Sequence, residues 1–274
     1  MFRSGSETNT VGAIYYGTPG TAAPSLTLVT EANGGAASFW CETLSIIYYN
    51  GKYYGFTTAH SVNHGYRPYI LDTSTNTLNM ATSTVVSPGS GAERMCSLIK
   101  SGSYWVVGLG IVSSSTDRVL FKRQLVSSDY LKGFGSATNS GQIGATSSKL
   151  FYQNDTVYCF RETSGNLYLR TSSDSGATWS SDTLIASNLG RYSSRCGISL
   201  HGNEFFAAKI NDDILNLVYS KDLIEYTTYT YDLSEISEGV NACGDILKDN
   251  SGYYLALYWN GSASLVNSII VQLY

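Results

Sequence analysis

The stretch SIIYYNGKYYGFTT, residues 45–58, reads as a β-hairpin. An apolar strand runs into Asn50-Gly51, and a second strand opens on Tyr53 and Tyr54. Asn-Gly tolerates the positive φ that a two-residue hairpin turn demands. The same figure returns as SLIKSGSYWVVGL (97–109), KLFYQNDTVYCFRE (149–162), ISLHGNEFFAAKI (198–210) and DILKDNSGYYLALYW (245–259). Near the start of the second strand stand Tyr54, Trp105, Tyr158, Phe206 and Tyr254, with successive separations of 51, 53, 48 and 48 residues. A regular period near 50 residues is the length of one four-stranded propeller blade.

This period predicts an all-β fold: a five-bladed β-propeller of four-stranded blades, in one domain spanning 1–274 behind a flexible N-terminus (1–10). The repeats fall near 41–90, 91–143, 144–190, 191–238 and 239–274. Each hairpin supplies the two inner strands of its blade. After the last hairpin only LVNSIIVQLY (265–274) remains, one strand short. The segment 11–30, with SLTLVT (25–30) as its strand, is expected to complete that blade and close the ring, which removes an open sheet edge. A β-sandwich is the competing architecture, but it requires no fifty-residue period. Cys41, Cys96, Cys196 and Cys243 each stand just before a first strand, and the third repeat has small residues there (IGATSSKLF, 143–151). Repeated small residues at one position point to a crowded place.

Composition narrows the function classes. Apolar residues make up 43% of the chain and charged residues only 14%, well under the usual quarter. Polarity comes from Ser, Thr, Asn and 27 Gly, with 22 Tyr; Tyr and Thr are good strand residues. The net charge of −4 and the lack of a basic stripe exclude nucleic acid as an expected partner. No apolar run is long enough to predict membrane insertion. The five Cys are an odd number without a CxxC, and the three His lack zinc spacing, so neither metal nor cofactor is expected. The opening MFRSGSETNTVG (1–12) has no apolar core of a signal peptide. The chain is therefore expected to be made in a cytoplasm with its cysteines reduced.

A second motif stands in RTSSDSGATWS (170–180): Ser172, Asp174, Gly176, Thr178 and Trp179 at fixed offsets. Degenerate copies follow the neighbouring hairpins, SSDYLKGF (127–134) and SKDLIEY (220–226), and Asp72 is a fainter match. Asp174 is too isolated for a calcium loop of the EF-hand kind. The pattern resembles the Asp-box (BNR repeat) of sialidases and related β-propellers. That resemblance implies a structural turn between the third and fourth strands of a blade, with Asp174 tying the turn and not acting in chemistry.

Propeller connectivity puts the starts of the first strands and the loops after the second strands on one face. Candidate ligand-binding residues there are Trp40, Glu93, Arg94, Tyr192, Arg195 and Asn241 at strand starts, with His60 and Trp259 in loops. Aromatic rings stack on sugar faces, and Arg, Asn and carboxylates address hydroxyls. A glycoside hydrolase would need two carboxyl groups flanking the bond. Glu42, Glu93 and Asp245 are the candidates, with Glu162, expected in a loop after a second strand, and Glu238 also available. A sialidase would require three arginines, drawn from Arg94, Arg195 and either Arg161 or Arg118, and its RIP motif is absent. EGVNACGDILKDNSGYYLALYW (238–259) resembles the last-acid segment of five-bladed glycosidases of the arabinanase and levansucrase kind, yet their DP motifs are absent.

These departures favour non-catalytic recognition of a glycan or cell-surface polysaccharide. The composition resembles that of phage tail adhesins, so the expectation is a receptor-binding protein on a virion surface, beside other virion proteins. A glycoside hydrolase is the alternative, and a structural virion propeller docked on another protein is the third reading.

Overall fold

The computed structural model describes residues 2–4, 11–13, 15–16, 27–28, 30–31, 39–59, 65–75, 77–81, 93–112, 117–134, 138–144, 147–189, 197–211, 213–235, 240–260 and 266–273. They form strands and one short helix. The strands group into two compact units.

The first unit comprises Met1–Gly144 with Asp155–Val157 and Ser172–Thr178. Two small pairs lead in: β1 (Phe2–Ser4) with β2 (Val11–Ala13), and β3 (Tyr15–Tyr16) with β4 (Thr27–Leu28). The first blade consists of β5 (Thr30–Glu31), β6 (Phe39–Tyr49), β7 (Lys52–Ala59), β8 (Gly65–Asp72) and β9 (Thr77–Met80), in the order β5-β9-β8-β7-β6. The second blade is β10 (Glu93–Ser101), β11 (Tyr104–Val112), β12 (Asp117–Leu125) and β13 (Thr138–Gly144) in sequential order, with helix α1 (Tyr130–Gly133) between its last two strands.

The second unit comprises Ala145–Asn154, Tyr158–Thr171 and Trp179–Tyr274. The third blade, β14 (Ser147–Gln153), β15 (Thr156–Thr163), β16 (Asn166–Ser172) and β17 (Thr183–Ala186), lies mostly within it. The fourth is β18 (Gly197–His201), β19 (Glu204–Asn211), β20 (Ile214–Ser220) and β21 (Thr227–Asp232). The fifth is β22 (Val240–Lys248), β23 (Tyr253–Asn260) and β24 (Val266–Leu273). One meander per repeat gives the five-bladed β-propeller fold.

The turns follow their sequences. Asn50 and Gly51 have φ of 49° and 80°, and Asn154 and Asp155 have 47° and 57°, as a two-residue hairpin with both central residues left-handed requires. Burial then grades across a blade. In the fourth, β19 (EFFAAKIN) is buried along its whole interior, β20 is only partly covered, and β21 (TTYTYD) is exposed at every position. Inner strands therefore carry continuous apolar runs, and the outer edge carries Thr and Tyr.

The repeating aromatics pack blade on blade within each unit. Tyr54 lies against Trp105 with ring centroids 4.9 Å apart, and Tyr130 closes on both. Trp105 is 1% exposed. In the second unit Phe160 stacks on Phe205 at 4.3 Å, and Phe206 meets Tyr253 at 4.2 Å.

One strand goes elsewhere than expected. The segment assigned to the last blade instead gives β2, β3 and β4, and its last residue opens β5, which pairs in parallel with β9 through Thr30↔Thr77 and Glu31↔Leu78. The outer edge of the first blade lies nearest in sequence, and its unpaired backbone groups take the strand. The fifth sheet has three strands among the described residues.

Candidate functional site

Three of the innermost strands do not pair evenly. The register of β6 against β7 shifts between Trp40 and Ser45, that of β10 against β11 between Glu93 and Cys96, and that of β22 against β23 both between Val240 and Ala242 and between Cys243 and Ile246. Bulges of this kind bend a strand and re-aim its side chains, and they recur at sheet rims beside active sites. Each candidate carboxylate falls at such an irregularity. Glu42 lies inside the shift on β6, Glu93 is the last paired residue before the shift on β10, and Asp245 lies inside the second shift on β22.

Within the first unit the two innermost strands are joined directly. The Leu98 amide donates to Ser45 Oγ at 2.7 Å, and the Ser45 hydroxyl donates to the Leu98 carbonyl at 3.5 Å. Glu42 precedes Ser45 by three residues and Glu93 precedes Leu98 by five. The two carboxylate positions thus sit upstream of one tie on neighbouring strands.

The other site candidates fall as follows. Trp40 is on β6 opposite Thr58, Arg94 is in the shifted part of β10, Asn241 is on β22, and Trp259 is on β23 opposite Val240. Trp259 is therefore a strand residue and not the loop residue that its sequence context implied. His60, Tyr192, Arg195 and Glu238 lie outside the described residues. Tyr66 is fully buried in the core of the first unit, where its hydroxyl donates to the Gly110 carbonyl at 2.6 Å.

Two of the residues weighed for chemistry prove to be internal. Glu162 belongs to β15, which ends in the tight Ser164-Gly165 turn (φ 52° and 77°), so it is not in a loop. It is buried and ion-paired with Lys209 Nζ at 2.6 Å, and the Lys209 side chain is 0% exposed. Arg161 is likewise committed. Its Nε donates to Asp182 Oδ1 at 3.0 Å and its NH2 to Oδ2 at 2.5 Å, while Arg170 holds the same carboxylate from β16. Burial opposes ionisation of Asp182, but the two guanidinium groups outweigh it and hold the carboxyl well below the usual range. Arg161 is thus not free to serve in a substrate-binding arginine triad.

Sequence reading missed the Lys209–Glu162 pair. A signal was present: Lys209 interrupts the apolar run FFAAKI, and a charge inside such a run requires a partner when buried. Cys159, inside the equally apolar YCF, is free and fully buried, and burial pushes its thiol up to about 12.

The Ser172–Trp179 turn is closed by its own side chains. Ser172 Oγ accepts the Gly176 amide at 2.8 Å and donates to Asp174 Oδ1 at 2.7 Å. Asp174 accepts the Thr178 amide at 2.9 Å and the Thr178 hydroxyl at 2.6 Å. Gly176 has φ of 78°, which suits a residue without a side chain. Burial acts against the Asp174 charge, but hydrogen bonds from Thr178 and Ser172 prevail and hold its carboxyl down at about 2. Within the first unit this turn rests on the hairpin of the second blade, with Ser175 Oγ 2.8 Å from Ser101 Oγ and Arg123 donating to the Asp174 carbonyl. At Ser220 and Asp222 the design persists: Asp222 accepts the amides of Ile224 and Glu225. At Asp129 it has become a helix N-cap for α1.

No protein-family model and no curated protein matches the chain. Solved structures do. The GH43_1 enzyme from Xanthomonas citri superposes with a TM-score of 0.52 at 7% identity, over 87% of this chain and 89% of that one. The same enzyme complexed with xylose gives 0.50 at 7% identity, over 87% and 88%. A bifunctional GH43-CE protein from Bacteroides eggerthii gives 0.51 at 8% identity, over 84% of this chain and 32% of that one. What they share with this chain is the fold. These matched structures are glycoside hydrolases, not virion adhesins. This overturns the expectation of a non-catalytic glycan-binding protein on a phage particle, which rested on missing motifs. At 7% identity short acid motifs need not survive, so their absence was no argument against catalysis.

Proposed function

We propose that the chain is a glycoside hydrolase whose acid pair is Glu42 and Glu93. The observation that carries this reading is the placement of both carboxylates at irregularities of neighbouring innermost strands, upstream of the Ser45–Leu98 tie. The fold's likeness to glycoside hydrolases supports it. In such chemistry one carboxyl, kept protonated, donates its proton to the leaving oxygen. The other, ionised, either attacks the anomeric carbon or activates a water. A separation of roughly 5 Å gives retention and one of roughly 6.5–9.5 Å gives inversion. Trp40 and Arg94, next to these positions in sequence, are proposed to stack on and hydrogen-bond the sugar. The Ser172–Trp179 turn is read as a structural turn of the Asp-box type.

A panel of 4-nitrophenyl glycosides and oligosaccharides tests the reading, with xylosides first because the X. citri relative was solved with xylose. Turnover of at least one member is expected. No hydrolysis across pentosides and hexosides of both anomers would refute it.

A further inference from the structure

We propose that Ser45 is a positioning residue for the hydrolytic acid pair. This rests on the reading of Glu42 and Glu93 given above. The innermost strand of a blade is a sheet edge: its inward N–H and C=O groups have no strand to pair with. On β10 those two groups of Leu98 are taken by one hydroxyl, Ser45 Oγ, which accepts from the amide at 2.7 Å and donates to the carbonyl at 3.5 Å. A hydroxyl has both capacities at a single atom. No apolar side chain of similar size can do this.

Location gives the contact its importance. Regular pairing of β6 with β7 resumes at Ser45, opposite Phe56, immediately after the irregular stretch that contains Glu42. Leu98 lies in the regular part of β10, opposite Val107, just past the shift that follows Glu93. Ser45 and Leu98 therefore form a fixed cross-strand point downstream of both shifts. Bulged segments are held less tightly by their own ladder. The distance between the two acids is set by whatever anchors their strands to each other, and Ser45 is that anchor. The chemistry tolerates little error, since a misplacement of about 1 Å can cost on the order of a hundredfold in rate.

The test compares Ser45→Ala, Ser45→Thr and Ser45→Cys with the wild type on the best substrate of the panel, far below each variant's Tm. Asp174→Asn serves as a control that destabilises a turn away from the acids. Ser45→Ala is expected to lower kcat by roughly 10- to 100-fold with KM changed less than about threefold. Ser45→Thr, which keeps the hydroxyl, restores most of kcat. Ser45→Cys, a weak hydrogen-bonding isostere that still fills the space, stays low. Asp174→Asn loses Tm but keeps kcat. If Ser45→Ala keeps kcat, or if Ser45→Cys matches the wild type, the inference is overturned while the acid pair stands. If the wild type hydrolyses nothing, the acid-pair reading fails and this inference fails with it.

Discussion

At the residue scale, two carboxylates show how environment separates structural from chemical roles. Asp174 is saturated by its own turn, accepting from Ser172 and Thr178. Its folded pKa of about 2 lies below the unfolded value, so its contribution is complete above pH ~4 and is lost as pH falls through about 2. Asp174→Asn should cost about 1 kcal/mol, the scale of a lost cap, and should flatten the fall in Tm between pH 4 and 2. Thermal melts followed by circular dichroism across that range check both. Lys209 and Glu162 are the opposite case, two charges removed from water that depend on each other. Lys209→Met removes the buried cation that balances the Glu162 charge and should cost about 3–5 kcal/mol in urea melts. The Lys209→Met, Glu162→Leu double variant should recover most of that loss, because an apolar pair of similar volume replaces a desolvated one.

At the scale of elements, Asp182 clamps three segments of the third blade. Arg161 on β15 and Arg170 on β16 converge on it just before β17. Asp182→Asn should weaken both contacts and lower stability by about 2–3 kcal/mol, within the range for hydrogen bonds to charged groups. Because the carboxyl's folded pKa is depressed, the stability the clamp adds is complete above pH ~4 and declines as the pH falls below it, while the folded carboxylate stays ionised well under the usual range. Urea melts of the wild type and Asp182→Asn at pH 7 and pH 3 check this, with the gap in stability between them expected to narrow at the lower pH. The strands themselves were legible where alternation and turn chemistry agreed, as at Asn50-Gly51 and Asn154-Asp155. The register at their starts was not. Bulges break the period-two pattern around FWCETLSI (39–46) and NACGDIL (241–247), so the sequence placed Trp40 and Asn241 at strand starts without revealing the irregular register there. Glu162 looked like a loop residue because nothing local reveals that Ser164-Gly165 turns the chain within two residues.

At the scale of the molecule, the period carried the fold. Tyr54, Trp105, Tyr158, Phe206 and Tyr254 mark one hairpin per sheet, and within each unit rings pack between neighbouring blades, Tyr54 on Trp105 and Phe206 on Tyr253. Trp105→Ala should open a cavity costing about 3–5 kcal/mol, seen as a lower denaturant midpoint. Function was less legible. The acids Glu42, Glu93 and Asp245 were visible in the sequence, but no motif distinguished them from other loop-adjacent carboxylates. Long-range facts were needed: the shifts in register and the Ser45–Leu98 tie, both of which join residues distant in sequence.

The most direct test of the acid pair is kcat for Glu42→Gln and Glu93→Gln beside the wild type, on whichever glycoside it turns over. Each variant is isosteric with the wild type and should keep its Tm within about 2 °C, and should lose at least about 100-fold in kcat. If both variants fold and turn over at the wild-type rate, Glu42 and Glu93 are not the acid pair and the account is wrong.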